Sequence, residues 1–352
     1  MNNYPTIEIT KEDLKKIVYF ILMKFKGDPL HRQGTSAKRD LVGGYIERWF
    51  NKIAETVIFD NLLSDKPYKV VSDYFIYAND SEKNAPDILG LKTNTSTMPF
   101  VTYNNGTWKN IDGMPRVEVK VIRSDQEMLT VREAQMIDDY YVFVESNLSP
   151  DYLTAIFEDA VFNEGYLEQL SMDQVFISSD SDSQIIKHTP VTKADRIGTM
   201  RLIGIYTKDE LRRQSVLCGR GVSPYYFGGA ENVERATSAN ADEPMNFDEL
   251  GRFVYKYDDS YVALPVSVDK QPDSVIIIKK KNKGSIFVES NTDLIINGIH
   301  VNAGLIKITY TKFDRSSLWD ENIVSKYILE KYGQDATDEL ISNFDEIASN
   351  SQ

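Results

Sequence analysis

Cysteine and histidine are almost missing from this chain of 352 residues: there is one Cys, Cys218, and three His, at His31, His188 and His300. A single thiol allows no internal disulfide framework and no cysteine-built zinc site. Three imidazoles so far apart offer no histidine-rich metal cluster. Cys218 reads as an ordinary core or loop thiol, and His31 as a residue of a basic loop, either bland or touching phosphate. Long apolar runs are also lacking. No stretch reaches the ~18 residues of a membrane-spanning helix. The chain starts Met-Asn-Asn-Tyr-Pro, without the basic-then-apolar order of a secretory leader. The expected setting is therefore the reducing cytoplasm, away from membranes. Gly219-Arg220-Gly221 lacks the lysine signature of a phosphate loop.

Positive charge is in short supply too. Lys and Arg number 40 against 53 Asp and Glu, a net charge of -13, which on its own opposes a nucleic-acid partner. The distribution qualifies that total. Residues 11–52 carry ten basic against five acidic side chains, and 191–220 carry seven against three. Residues 133–186 hold twelve acidic and no basic side chains, and 320–346 hold eight against two. Such segregation allows a basic groove on an acidic body, although acidic runs are commonly just solvated surface.

The length suits about two domains, and the pattern divides into residues 1–220, a Gly/Ser/Asn/Pro-rich linker or mobile loop at 221–246, and a strand-rich region at 247–352 that ends in acidic helices. Thr10 caps a helix over 10–25, with Leu14, Ile17, Val18, Ile21 and Leu22 at helical spacing. A second helix is expected from 36 to 63 and contains Glu47. Strands follow at 68–78, 88–91 and 117–123, with a hairpin around Asn104-Asn105-Gly106. A helix is expected at 129–139, then a strand at 140–145. The fold class is α/β (α+β), a mixed β-sheet flanked by helices, with a β-rich C-terminal part.

Two short stretches carry the chemistry. Pro86-Asp87-Ile88-Leu89-Gly90 opens one strand, and Arg116-Val117-Glu118-Val119-Lys120-Val121-Ile122 forms another. Residues two apart on a strand share a face. Glu118 and Lys120 thus point one way, and Val117, Val119 and Val121 the other. If Asp87 lies on a neighbouring strand, two carboxylates and an amine converge. That set suits a divalent cation next to a positive group.

These residues resemble the PD-(D/E)XK nuclease superfamily, which includes many restriction endonucleases. The resemblance covers roughly the first 150 residues. It implies a restriction endonuclease-like core and a Mg²⁺ ion, replaceable by Mn²⁺, held by Asp87, Glu118 and the Val119 carbonyl. It implies that Lys120 acts near the attacking water or the phosphate. By position it adds Glu47 on the preceding helix and Gln135 on the following one. The activity implied is hydrolysis of double-stranded DNA by a type II restriction endonuclease, acting as a homodimer on symmetric sites. Two other readings stand beside it. One is a phage-defence or repair nuclease whose C-terminal half binds a partner or signal. The other is a non-catalytic DNA-binding protein. Arg123, Arg212, Arg213 and the Lys279-Lys280-Lys281 run, expected at a hairpin turn, are candidate DNA contacts. Each also has a plain reading, as a salt bridge or a solvated turn.

Overall fold

The computed structural model describes residues 4–27, 51–75, 85–104, 107–149, 197–218, 225–226, 233–238, 246–247, 252–257, 260–269, 276–282, 284–309, 311–312 and 321–350. It is a mixed α/β protein with several small sheets and few helices, and no sheet among the described residues closes into a barrel. No helix among them is long and apolar enough to cross a membrane.

The central ladder is built on β9 (Tyr140–Leu148), a run of Tyr, Val and Phe that is buried on both faces. Such runs of β-branched and aromatic residues belong in the middle of a covered sheet. β10 (Gly198–Thr207) pairs antiparallel with one edge of β9, and β1 (Thr6–Glu8) pairs with β10. β7 (Val117–Arg123) pairs parallel with the other edge of β9 and is the last strand of the ladder among the described residues.

Side-chain alternation on β7 and β9 sends their two faces into different cores. Val117, Val119, Tyr140, Val142 and Val144 face a large core shared with α1 (Lys11–Gly27) and α2 (Ala54–Leu62). Ile122, Tyr141 and Phe143 face a second core with Ile203, Tyr206 and Leu211. α1 begins where its residues predict: Thr10 Oγ1 donates to Asp13 Oδ2 at 2.6 Å, and Asp13 N–H donates back to Thr10 Oγ1 at 3.3 Å, a reciprocal cap. α3 (Lys208–Gln214) likewise starts at Thr207, whose side chain accepts from Glu210 N–H at 3.2 Å.

The chain end closes the first core. A strand at Glu321–Ser325 leads into α4 (Lys326–Tyr332) and α5 (Thr337–Ser349). Phe344 of α5 is fully buried, with its ring 6.3 Å from Phe59 and 5.7 Å from Phe100. Tyr140 Oη donates to Glu339 at 2.6 Å and Tyr68 Oη to Asp345 at 2.7 Å, so two tyrosines of the N-terminal half anchor the same helix.

The helix expected at 129–139 is not there. Residues Met128–Arg132 form strand β8, followed by a single 3-10 turn at Glu133–Gln135. β8 pairs antiparallel with Glu321–Ser325, and Val131 is fully buried there. Leu129-Thr130-Val131 suits a strand once a partner exists, and that partner lies far along the chain. A parallel pair needs a long crossover. Here β8 and the 3-10 turn make it between β7 and β9, in place of a helix. The Lys279-Lys280-Lys281 run is also reassigned. It lies within the strand Ile276–Asn282, paired with Ser285–Ser290, rather than at the turn. The hairpin near residue 104 is present as β5 (Val101–Asn104) and β6 (Thr107–Asn110).

Candidate catalytic site

β7 presents Glu118 and Lys120 on one face, and Lys120 Nζ donates to Glu118 Oε1. Their neighbours across the parallel pair are Tyr141 and Phe143, both buried, which form an apolar floor. Among the described residues no strand lies beside the outer edge of β7, so backbone groups there need other partners. Val119 N–H finds one in Asp87, donating to Oδ2 at 2.8 Å. On a strand the N–H and C=O of one residue point to the same side. The Val119 carbonyl therefore faces the same edge as Asp87.

Asp87 sits just before β3 (Ile88–Lys92), which pairs with β2 (Lys69–Ser72) and with β4 (Thr97–Pro99). Its carbonyl accepts from Asp73 N–H at 2.8 Å, which ties the end of β2 to this corner. Gly90 lets β3 and β4 approach closely: a Cβ there would lie 2.4 Å from the Met98 carbonyl oxygen.

Among the described residues the helix carboxylate beside this corner is Glu55 of α2, a position that sequence reasoning passed over. Glu47 lies outside the described residues. Lys52, in the 3-10 turn that leads into α2, donates to Glu55 Oε1 at 2.7 Å and Oε2 at 2.8 Å. Its Nζ is 3.9 Å from Asp87 Oδ1. On the other side Asp138, buried before β9, accepts from Arg116 Nε at 3.0 Å. The one signal for Lys52 and Glu55 in the sequence is a pair of charges three residues apart among Ile53, Ala54, Val57 and Ile58, where an apolar face would be expected.

Electrostatics mark this cluster out. Burial, then the Asp87 charge, pushes the Glu118 carboxyl up to about 7, with Lys120 working against the shift. Burial and Asp87 raise Glu55 well above its ordinary range, against the pull of Lys52. Burial disfavours the charge on Lys120, but Glu118 and Asp87 outweigh it and the ammonium is held more firmly than usual. Burial raises Asp138 despite Arg116. Glu55, Asp73, Asp87, Glu118 and Asp138, if ionised, outnumber Lys52, Arg116 and Lys120 by two charges.

Among the described residues no group of three or more His, Cys, Asp and Glu is close enough to hold a metal ion by itself. Mg²⁺ asks for less: one or two carboxylates, with the rest of its shell from water and substrate oxygens. Asp87, Glu118 and the Val119 carbonyl are the hard-oxygen groups gathered at this strand edge.

The remaining expected residues lie elsewhere or are engaged. Gln135 is exposed on its 3-10 turn, and its carbonyl accepts from Tyr141 Oη at 2.9 Å. Arg123 reaches Asp125 through two hydrogen bonds of 3.0 and 3.2 Å. Arg212 donates to Glu133 at 2.8 Å, and Arg213 pairs with Glu210. Comparison of the chain with models of known families, with curated proteins and with solved structures finds no match.

Proposed function

We propose that this chain is a Mg²⁺-dependent endonuclease with a restriction endonuclease-like core of the PD-(D/E)XK type. In this reading it hydrolyses phosphodiester bonds of double-stranded DNA, as a type II enzyme working as a homodimer. The supporting observation is the hydrogen bond from Val119 N–H to Asp87 Oδ2, which brings Asp87 to the strand edge that carries Glu118 and Lys120.

Asp87, Glu118 and the Val119 carbonyl would hold the cation. Mg²⁺ bound there supplies a nucleophilic water and charge stabilisation at the leaving oxygen. The chain's own groups do the rest. Lys120 keeps its proton against burial and presents a fixed positive charge where negative charge grows on the phosphate. Glu118 must be ionised to hold the cation, a cost that burial and the Asp87 charge raise and Lys120 eases. Tyr141 and Phe143, buried beside them, lower the local polarity, which strengthens the interactions of both charges. A symmetric homodimer would match the two-fold symmetry of a palindromic duplex.

The test is digestion of a supercoiled plasmid. Discrete linear fragments are expected with Mg²⁺ and none with EDTA. Asp87→Ala and Lys120→Ala should each lose on the order of 100-fold or more in rate, the scale of removing one preorganised stabilising group. Unchanged cleavage by both variants refutes the assignment. A smear in place of bands refutes the site-specific part alone.

A further inference from the structure

The buried cation next to Asp87 has no role in the reading so far. Lys52 precedes α2, and its side chain is only 9% exposed. Its Nζ lies 5.8 Å from the centroid of the Phe20 ring and 5.6 Å from that of Tyr74. Those two rings meet edge to face with centroids 5.4 Å apart. Tyr74 is pinned in turn by a 2.8 Å hydrogen bond between its hydroxyl and Thr56 Oγ1. With both Glu55 oxygens bonded to it, the ammonium has almost no freedom. The carboxylate of Asp87 meets one hydrogen bond and one longer electrostatic contact. Oδ2 takes the Val119 N–H at 2.8 Å, and Oδ1 faces Lys52 at 3.9 Å.

We propose that Lys52 is a positioning residue for the cation site. Its ammonium, fixed by Glu55 and the Phe20 and Tyr74 rings, holds Asp87 in the orientation that presents it beside Glu118 and the Val119 carbonyl. This inference rests on the nuclease reading given above. It attributes no contact with DNA or with the reacting atoms to Lys52.

A purely structural pair behaves differently. Removing one partner of a buried ion pair strands the other and is strongly destabilising, whereas replacing both by neutral groups of similar volume is often harmless to the fold. The double variant Lys52→Met with Glu55→Gln separates the two roles, because it leaves no stranded charge and no change in net charge. Lys52→Gln with Glu55→Gln is the second neutral pair, in case methionine fails to pack. The probe is Mn²⁺ alone, with its uptake followed by the loss of the free-ion electron paramagnetic resonance signal. Outer partners of metal ligands are worth roughly 10- to 100-fold in affinity. We expect the folded neutral-pair variants to bind Mn²⁺ weaker by that factor and to cleave plasmid slower in proportion, while their unfolding midpoints stay near that of the wild type.

Wild-type Mn²⁺ affinity in a folded neutral-pair variant overturns the proposal and leaves the nuclease reading intact. If the wild-type chain itself neither takes up Mn²⁺ nor cuts plasmid, the nuclease reading fails and this inference falls with it. Loss of folding in both neutral pairs makes the ion pair structural and also overturns the proposal.

Discussion

Glu118→Gln should change how stability depends on pH. Burial and the Asp87 charge raise the Glu118 carboxyl from its ordinary 4.5 to about 7 in the folded chain. A group whose folded value lies above its unfolded value stabilises the fold fully below the unfolded value. That contribution fades as pH rises through the folded one. Stability attributable to Glu118 is therefore present at about pH 4 and is lost between about 4.5 and 7. At about 1.4 kcal/mol for each tenfold change in proton affinity, the loss amounts to about 3 kcal/mol by pH 8. Glutamine cannot ionise and keeps a similar shape, so the variant escapes the loss. Lys120 is not stranded by the change, since Asp87 and Asp138 still act on it. Urea denaturation of both proteins at pH 5, 6, 7 and 8 is the assay. The variant should gain on the wild type as pH rises, by about 1 to 3 kcal/mol at pH 8. The difference should shrink toward zero at the acid end. Parallel pH profiles, or a variant that loses ground above pH 7, would refute the electrostatic account of the cluster.

Further outcomes follow from individual contacts. Gly90→Ala pushes a methyl against the Met98 carbonyl, a backbone atom with little room to move; a loss of about 1 to 3 kcal/mol is expected from overpacking, read by urea denaturation, together with slower plasmid cleavage as β3 shifts Asp87. Phe344→Ala empties the contact between α5 and the first core; a loss of about 3 to 5 kcal/mol is expected, seen as a lowered unfolding midpoint. Arg212→Ala combined with Arg213→Ala removes two exposed cations already engaged by Glu133 and Glu210; plasmid cleavage should stay within about twofold and stability within about 1 kcal/mol, and a large fall in cleavage would restore these arginines as DNA contacts.

How much of this was legible before the fold can be seen residue by residue. β7 was readable because Val117, Val119 and Val121 alternate with Glu118 and Lys120, and both faces then found the environments the alternation demands. β9 was readable because an unbroken Tyr-Tyr-Val-Phe-Val run suits only a covered strand. The start of α1 was readable from Thr10 and Asp13. The stretch 129–139 misled because local spacing admits either a helix or a strand. The deciding partner, Glu321–Ser325, is remote in sequence. Glu55 was passed over for a similar reason. It is buried and bonded to Lys52, which lies over the Phe20 and Tyr74 rings, two contacts that no local pattern announces. The juxtaposition of Asp87 with Val119 could only be supposed from the sequence, because a carboxylate capping a strand edge leaves no periodic trace.

The acidic total bears on how such a chain would meet DNA. Along the sequence, the basic stretch 191–220 offsets part of the net charge of -13. In the fold its described arginines each pair with a carboxylate of the same chain: Arg201 bonds Glu145 and Glu330, Arg212 bonds Glu133, and Arg213 pairs with Glu210. Cations committed in this way release few counterions from a duplex, so they add little to non-specific affinity. The cluster around Asp87 adds to the problem, because its carboxylates, where ionised, would repel a phosphate. A divalent cation would offset that negative charge. On the nuclease reading, the cation that serves the chemistry is also what admits the scissile phosphate to an acidic surface. Metal and DNA would then bind with mutual reinforcement, each raising the affinity for the other by the same factor.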